Sequence, residues 1–200
     1  MEYAGLDLLL PSSVYEPAED SFMLAKEAAK LKGNVLEIGC GSGIVSLACA
    51  KVGCSVLGVD INPDAVKCAS GNATRNKIKS VRFIKSNLFS NVPKKKFDAI
   101  LFNPPYLPTS KSEKLADNKL NNAFDGGKTG RKVLDNFLDE FDDFLKSGGV
   151  LLLVQSSLNN QKKTEQRLKK LGYSIEIVAE EKFFFEKLVL IRATKSTICD

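Results

Sequence analysis

Apolar positions along the chain fall into two alternating patterns. Asn34–Ile38, Ser55–Asp60, Val81–Lys85, Phe97–Phe102 and Val150–Val154 are short apolar runs that read as strands. Phe97–Phe102 is apolar on both faces apart from Asp98, which suits a parallel sheet covered on both sides. Helical periods lie between these runs. Ile44–Val52 is one helix, and Pro63–Asn76 is another, with Asn62 as its cap and proline at its first position. Gly130–Lys146 carries Val133, Leu134, Phe137, Leu138, Phe141 and Leu145 at helical spacing and should be closed by Gly148-Gly149.

After residue 155 the pattern changes. Gln161–Leu171 reads as a helix ended by Gly172. Ser174–Glu180 and Phe184–Ala193 read as two strands, and so short a connection requires them to be antiparallel. Near the N-terminus, Glu16-Pro17-Ala18-Glu19-Asp20-Ser21 opens a helix that runs to about Leu31. Residues 107–129 are the one long polar stretch, with Lys111, Lys114, Asn118, Lys119, Asn121, Asn122 and Gly126-Gly127; a loop of that length is functional or disordered. Five βα units ending in a hairpin predict one three-layer α/β domain over residues 1–200: an N-terminal segment and helix (1–32) and a core (33–195).

Composition narrows the chemistry. The chain has 200 residues, 44% of them hydrophobic and 26% charged, enough to bury a core. No apolar run approaches a membrane span, and no signal-peptide pattern opens the chain, so the cytoplasm or nucleus is expected. The net charge of +5 is concentrated in Lys94-Lys95-Lys96, Lys162-Lys163 and Lys169-Lys170. These clusters fit solvated loops and helix faces best; the alternative is a weak surface for RNA or a nucleic-acid-rich assembly. The cysteines, Cys40, Cys49, Cys54, Cys68 and Cys199, are odd in number and form no C-x-x-C pair; no metal site or disulfide framework is expected, and at least three should be apolar fillers. The chain contains no histidine, which excludes within it any Ser-His-Asp triad, Cys-His pair or His-ligated metal.

Two motifs carry chemistry. The first is Glu37-Ile38-Gly39-Cys40-Gly41-Ser42-Gly43, between a strand and a helix. Glycines let the backbone turn sharply and a ligand approach it, and the helix N-terminus behind offers unpaired N–H groups. A dinucleotide site would place a third glycine at position 44, which is Ile. The G-x-G-x-G spacing is the one typical of S-adenosylmethionine enzymes. Asp60, at the end of the second strand, can reach the two ribose hydroxyls of a nucleoside cofactor or, alternatively, cap the helix at Pro63. Glu37 can sit beneath the glycine turn or be a plain strand-end charge.

The second motif, Asn103-Pro104-Pro105-Tyr106, follows the fourth strand at its carboxyl end, the edge where open α/β sheets bind ligands. A carboxamide or aromatic amine has a nitrogen lone pair delocalised into its π system. The Asn103 side-chain oxygen and the Pro104 carbonyl can accept its two N–H groups and hold the nitrogen in line with a sulfonium methyl. Pro104 and Pro105 pre-position those acceptors, and Tyr106 can pack on the flat face of the target. No strong general base is required, because the departing proton becomes acidic only after methylation. The bland alternative is a simple turn after a strand.

Together with Val14-Tyr15-Glu16-Pro17-Ala18-Glu19-Asp20-Ser21 and Gly126-Gly127-x-x-Gly130-Arg131, these motifs occur in an order that resembles the HemK-like glutamine methyltransferases. The resemblance runs from about Val14 to Ala193 and is closest to the short eukaryotic and archaeal branch that modifies class-1 translation release factors. It implies N5-methylation of the glutamine in a Gly-Gly-Gln motif, with S-adenosylmethionine as cofactor. It implies cofactor contacts at Tyr15, Glu19, Ser21, Glu37, Gly39, Cys40, Gly41, Gly43, Asp60, Ile61, Asn87, Leu88 and Asn103, with the 1–32 segment covering the site. It further implies a Rossmann-like, mostly parallel seven-stranded sheet in the order 3-2-1-4-5-7-6. A small zinc-binding activator protein would pair beside the third strand, Val81–Lys85, an edge that needs cover. Asn87-Leu88 departs from the family's Asp-Leu, and an amide accepts the adenine amino group without charge assistance. The competing reading is an adenine or other exocyclic-amine methyltransferase acting on DNA or RNA, since that target is also a flat amine; the chain lacks the basic face or recognition domain such an enzyme normally carries.

Overall fold

The computed structural model describes residues 1–106, 127, 129–184 and 186–195. Seven strands form one sheet: β3 (Asn34–Ile38), β4 (Ser55–Asp60), β5 (Val81–Lys85), β6 (Phe97–Phe102), β7 (Leu145–Ser156), β8 (Tyr173–Lys182) and β9 (Lys187–Lys195). Their order is β5-β4-β3-β6-β7-β9-β8. The pairs β3–β4, β3–β6, β4–β5 and β6–β7 are parallel, whereas β7–β9 and β8–β9 are antiparallel. In sheet-strand numbering this is the expected order, with Val81–Lys85 at one edge.

Strand residues alternate between two cores, as a pleated sheet requires. Val35, Val56, Ala99, Leu101, Leu152 and Val154 face one layer, which contains helices α1 (Glu19–Ala28) and α2 (Ile44–Lys51). Leu36, Leu57, Ile100, Phe102, Leu151 and Leu153 face the other, with helix α4 (Lys132–Glu140), Phe141 and helix α5 (Gln161–Lys170). Both faces of β3, β4 and β6 are therefore largely dry, which is why those strands read as nearly unbroken apolar runs, whereas the edge strand β5 is partly exposed. Helix α3 (Pro63–Arg75) begins as expected: Asn62 is its cap and accepts from the Asp64 N–H at 3.0 Å, and Pro63 lies in the first turn. Cys40, Cys49 and Cys54 are buried fillers, while Cys199 lies outside the described residues.

Four expectations need correction. The helix expected over Gly130–Lys146 is helical only over Lys132–Glu140, continues as a 3-10 turn at Phe141–Phe144, and has given way to β7 by Leu145. Leu145 pairs with Phe97 and Val150 with Ala99, so Gly148-Gly149 lie in a bulge of the strand and do not close a helix. The last strand begins at Lys187; Phe183 and Phe184 belong to the turn before it, closed by Phe183 N–H on the Glu186 carbonyl at 2.8 Å. Finally, the N-terminal segment contains a small hairpin that the pattern does not predict: β1 (Glu2–Tyr3) and β2 (Leu6–Asp7). It is tied to α3 by Asp7 N–H to Asn76 Oδ1 (2.8 Å), Asn76 Nδ2 to the Asp7 carbonyl (2.8 Å) and Arg75 to Asp7 (3.0 Å).

Candidate active site

The register of β3 against β6 brings the two motifs together. Ile38 lies beside Phe102, so the next residues, Gly39 and Asn103, are neighbours at the carboxyl end of the sheet. A Cβ added to Gly39 would lie 3.7 Å from the Phe102 ring and 3.9 Å from the Asn103 carbonyl. A Cβ on Gly41 would meet nothing within 4 Å, so the turn opens onto free space. Gly43 is different. It caps α2 in the left-handed region at φ 85°, and a Cβ there would fall 2.9 Å from Ala69 Cβ and 3.1 Å from the Phe83 ring. Only glycine permits both that dihedral and that approach.

Asp60 holds the turn from β4. Its Oδ2 accepts from Gly41 N–H at 2.9 Å and its Oδ1 from Asn62 N–H at 2.8 Å. Burial lifts the Asp60 carboxyl above the ordinary range, against the opposing pull of the N–H groups of Asn62, Gly41 and Ile61. Each carboxylate oxygen has further acceptor capacity, so the side chain can organise the loop and still receive ligand hydroxyls. Capping of α3, the alternative role for Asp60, falls to Asn62. Ile61 is 44% exposed beside it, an unusual position for isoleucine and an apolar face for a flat ring. At the end of β5, Asn87 is exposed, with its N–H on Ser90 Oγ at 3.2 Å, and Leu88 is half-buried at φ 47°.

Glu37 is buried beneath the turn and accepts from the Ser46 hydroxyl of α2. Burial pushes its pKa up to about 8, only partly offset by Ser46 and reinforced by nearby Asp60. It therefore carries a proton at neutral pH. The consequence for stability has a definite sign. The folded state holds this proton to higher pH than an unfolded glutamate (4.5), so its stabilisation is complete below pH 4.5 and is lost as pH rises through about 8. The unfolding free energy of the wild type should fall between pH 5 and 9 more steeply than that of Glu37→Gln, by at most about 1.4 kcal/mol per pH unit, and the melting temperature should fall with it. Parallel melting curves for the two proteins across that range would remove the protonated state.

Asn103 Oδ1 is buried and has no hydrogen-bond partner among the described residues. A buried unpaired acceptor costs about 1–3 kcal/mol, and an acceptor kept at that cost marks a place where a donor is expected to arrive. Pro104 is buried, and Pro105 and Tyr106 are half-buried, behind it. The Tyr106 hydroxyl donates to Asp20 Oδ2 at 3.4 Å, and the Tyr15 hydroxyl lies 3.2 Å from both oxygens of the same carboxylate. Ser21 donates to Asp20 through its N–H (2.6 Å) and its hydroxyl (3.1 Å). Burial, then the charge on Asp20, raises both tyrosine pKa values well above the ordinary phenol. Asp20 thus joins the N-terminal segment to the Asn103–Tyr106 loop. Tyr15, Glu19 and Ser21 are expected site residues from the sequence and Asp20 is not; in the structure Glu19 is exposed and Asp20 is buried. Helical spacing carried that signal, because Asp20 shares the inner face with Met23, Leu24 and Glu27 and Glu19 does not.

Residues 19–185 match the family model described as the methyltransferase small domain. The chain belongs to that methyltransferase family. A Methanocaldococcus jannaschii protein provisionally named a protein N5-glutamine methyltransferase is 52% identical to this methyltransferase, over 96% of this chain and 98% of its own. The human methyltransferase HEMK2 is 34% identical over 92% of this chain and 91% of its own. Among solved structures, a chain of the E. cuniculi Mtq2–Trm112 complex, responsible for the methylation of the eRF1 translation termination factor, superposes with a TM-score of 0.73. It is 27% identical and covers 92% of this chain and 99% of that one. Among the described residues no helix is long and apolar enough to cross a membrane, and no group of His, Cys, Asp and Glu side chains could hold a metal ion.

Proposed function

We propose that this methyltransferase transfers a methyl group from S-adenosylmethionine to the side-chain nitrogen of the glutamine in the Gly-Gly-Gln motif of a class-1 translation release factor. One observation carries the reading: the buried, unpartnered Asn103 Oδ1 beside the glycine turn. The names of the relatives support the same substrate class.

The residues present fit the cofactor. The open space over Gly41 admits a ligand against the backbone, Asp60 has acceptor capacity left for two ribose hydroxyls, and exposed Ile61 with Leu88 offers apolar cover for the base. Gly39, Cys40, Gly43, Tyr15, Glu19, Ser21, Glu37 and Asn87 complete the proposed lining. When bound, the cofactor supplies an electrophilic methyl on a sulfonium. Asn103 Oδ1 and the Pro104 carbonyl accept the two N–H groups of the target amide, which orients its nitrogen and shifts electron density onto it as the new bond forms. Tyr106, held by Asp20, flanks the amide plane. The proton lost after methylation leaves to water.

The exposed edge of β5 bears Arg82 and Lys85 and pairs with β4 on one side only among the described residues. We propose it as the seat of a small zinc-binding activator that adds to the sheet. The test is labelled methyl transfer by the chain alone and with that activator. A release factor, its Gly-Gly-Ala variant, DNA and RNA would be offered in parallel. Label on the release factor and none on the variant is the expected result; label only on nucleic acid would transfer the site to an exocyclic amine.

A further inference from the structure

Most of the polar stretch 107–129 lies outside the described residues, but Tyr106 and Gly130, which flank it in sequence, are bonded to one side chain. Asn159, buried in the 3-10 turn Ser157–Asn159 that follows β7, donates from Nδ2 to the Tyr106 carbonyl (2.9 Å) and to the Gly130 carbonyl (2.5 Å). The orientation of its amide is decided by chemistry: a flip would set the oxygen against two carbonyl oxygens. The contact is too close for any side chain at Gly130, where a Cβ would fall 2.4 Å from the Tyr106 carbonyl and 2.7 Å from Asn159 Nδ2. The dihedral there, φ 66°, also requires glycine.

Asn159 is itself clamped. Its carbonyl accepts from the buried Arg131 guanidinium and from Gln155 Nε2 (2.9 Å). Arg131 also reaches Thr164 Oγ1 (2.9 Å), the Asn160 carbonyl (3.2 Å) and Asp135 (2.7 Å), so α4 and α5 both brace the turn. A guanidinium with this many partners loses little freedom per bond and makes a stiff support. The Asn159 side chain thereby reaches the last residue of the Asn103–Tyr106 loop through the backbone, from the helical layer opposite the one that holds Asp20.

We infer that Asn159 is a positioning residue for methyl transfer: its amide fixes the Tyr106 carbonyl, and through that loop the two acceptors that orient the target nitrogen. The inference rests on the proposed amide-methylating site. Asn159→Asp tests it, because the carboxylate keeps the shape and replaces the donor with an acceptor facing two carbonyls. With cofactor saturating, kcat per folded molecule should fall at least about tenfold, whereas the Kd for cofactor should stay within about twofold. A structural role alone would lower the melting temperature and leave kcat per folded molecule unchanged. Fluorotyrosine NMR supplies a readout free of turnover. The chain has four tyrosines, and Tyr106→Phe assigns the resonance; it should shift in Asn159→Asp while those of Tyr3 and Tyr173 hold. If Asn159→Asp does not fold, Asn159→Ser carries the same test by shortening the reach. Wild-type kcat in the folded variant, or an unmoved Tyr106 resonance, would overturn the inference. If the wild type labels no substrate at all, the proposed function fails and the resonance alone decides the positioning role.

Discussion

Asn103→Ala will lower kcat by on the order of 10²–10³ while leaving the Kd for cofactor within about threefold. The expectation follows from where the orphan oxygen sits. Gly39 and Asn103 follow the ends of adjacent parallel strands, so the proposed cofactor turn and the proposed amide acceptor lie side by side, and removing Oδ1 deletes one of the two contacts proposed to aim the target nitrogen. The free enzyme should gain slightly in stability, since a buried unpaired acceptor has gone. That combination separates catalysis from architecture: a residue that merely formed the turn would cost stability when replaced and leave turnover per folded molecule intact. Stopped single-turnover transfer, calorimetric cofactor binding and a melting curve on the same preparation test it. Turnover within threefold of wild type would show that the amide is held elsewhere.

The four strands Asn34–Ile38, Ser55–Asp60, Val81–Lys85 and Phe97–Phe102 are legible to the residue, because their flanking glycines and turn residues end the apolar runs. What escaped has physical causes. Apolar spacing through Phe141 and Leu145 persists because both face the same core, although the backbone passes from α-helix to 3-10 turn to strand beneath them. Periodicity reports which residues are buried, and here burial outlasts the helix. Two-residue strands such as Glu2–Tyr3 and Leu6–Asp7 have no period to read, and their turn places Ala4 at φ 48°, where alanine sends no signal. Phe184 resembles the start of a strand by composition, yet it stands in an exposed turn.

The candidate site is legible in the sequence where chemistry demands a residue type at a fixed spacing, and illegible where a residue acts through a neighbour. Gly39, Gly41, Gly43, Asp60 and Asn103 lie together at one end of the sheet. Helical spacing places Asp20 on the buried face without saying what it holds, and Asn159, a lone amide in a turn, gives no signal. What the two hold shows in the buried polar groups that Tyr106 touches, through its hydroxyl and through its carbonyl. Two of the motif's supports thus come from opposite layers of the fold, one before the sheet in sequence and one after its fifth parallel strand. Asp20 bonds the Tyr106 hydroxyl and Asn159 its backbone carbonyl, so the last residue of the Asn103–Tyr106 loop is tied from both sides.

Asp60→Ala should weaken cofactor binding by about two to three orders of magnitude, the loss expected for charge-assisted hydrogen bonds at about 1.5–3 kcal/mol each. Two causes add. The proposed ribose contacts go, and so do the bonds that hold Gly41 and Asn62 N–H at 2.9 and 2.8 Å. The second cause is independent of the ligand, so it can be separated. Asp60→Asn keeps one acceptor for a backbone N–H and sacrifices charge; it should recover most of the loop order and less of the affinity. Calorimetric Kd values for the three proteins, with amide exchange at Gly41 in the ligand-free state, read the two causes apart. Because burial already lifts the Asp60 carboxyl, affinity should also fall on acidification in the wild type and not in Asp60→Asn. An unchanged Kd in Asp60→Ala would remove the carboxylate from the ribose site and leave it as a brace for the glycine turn alone.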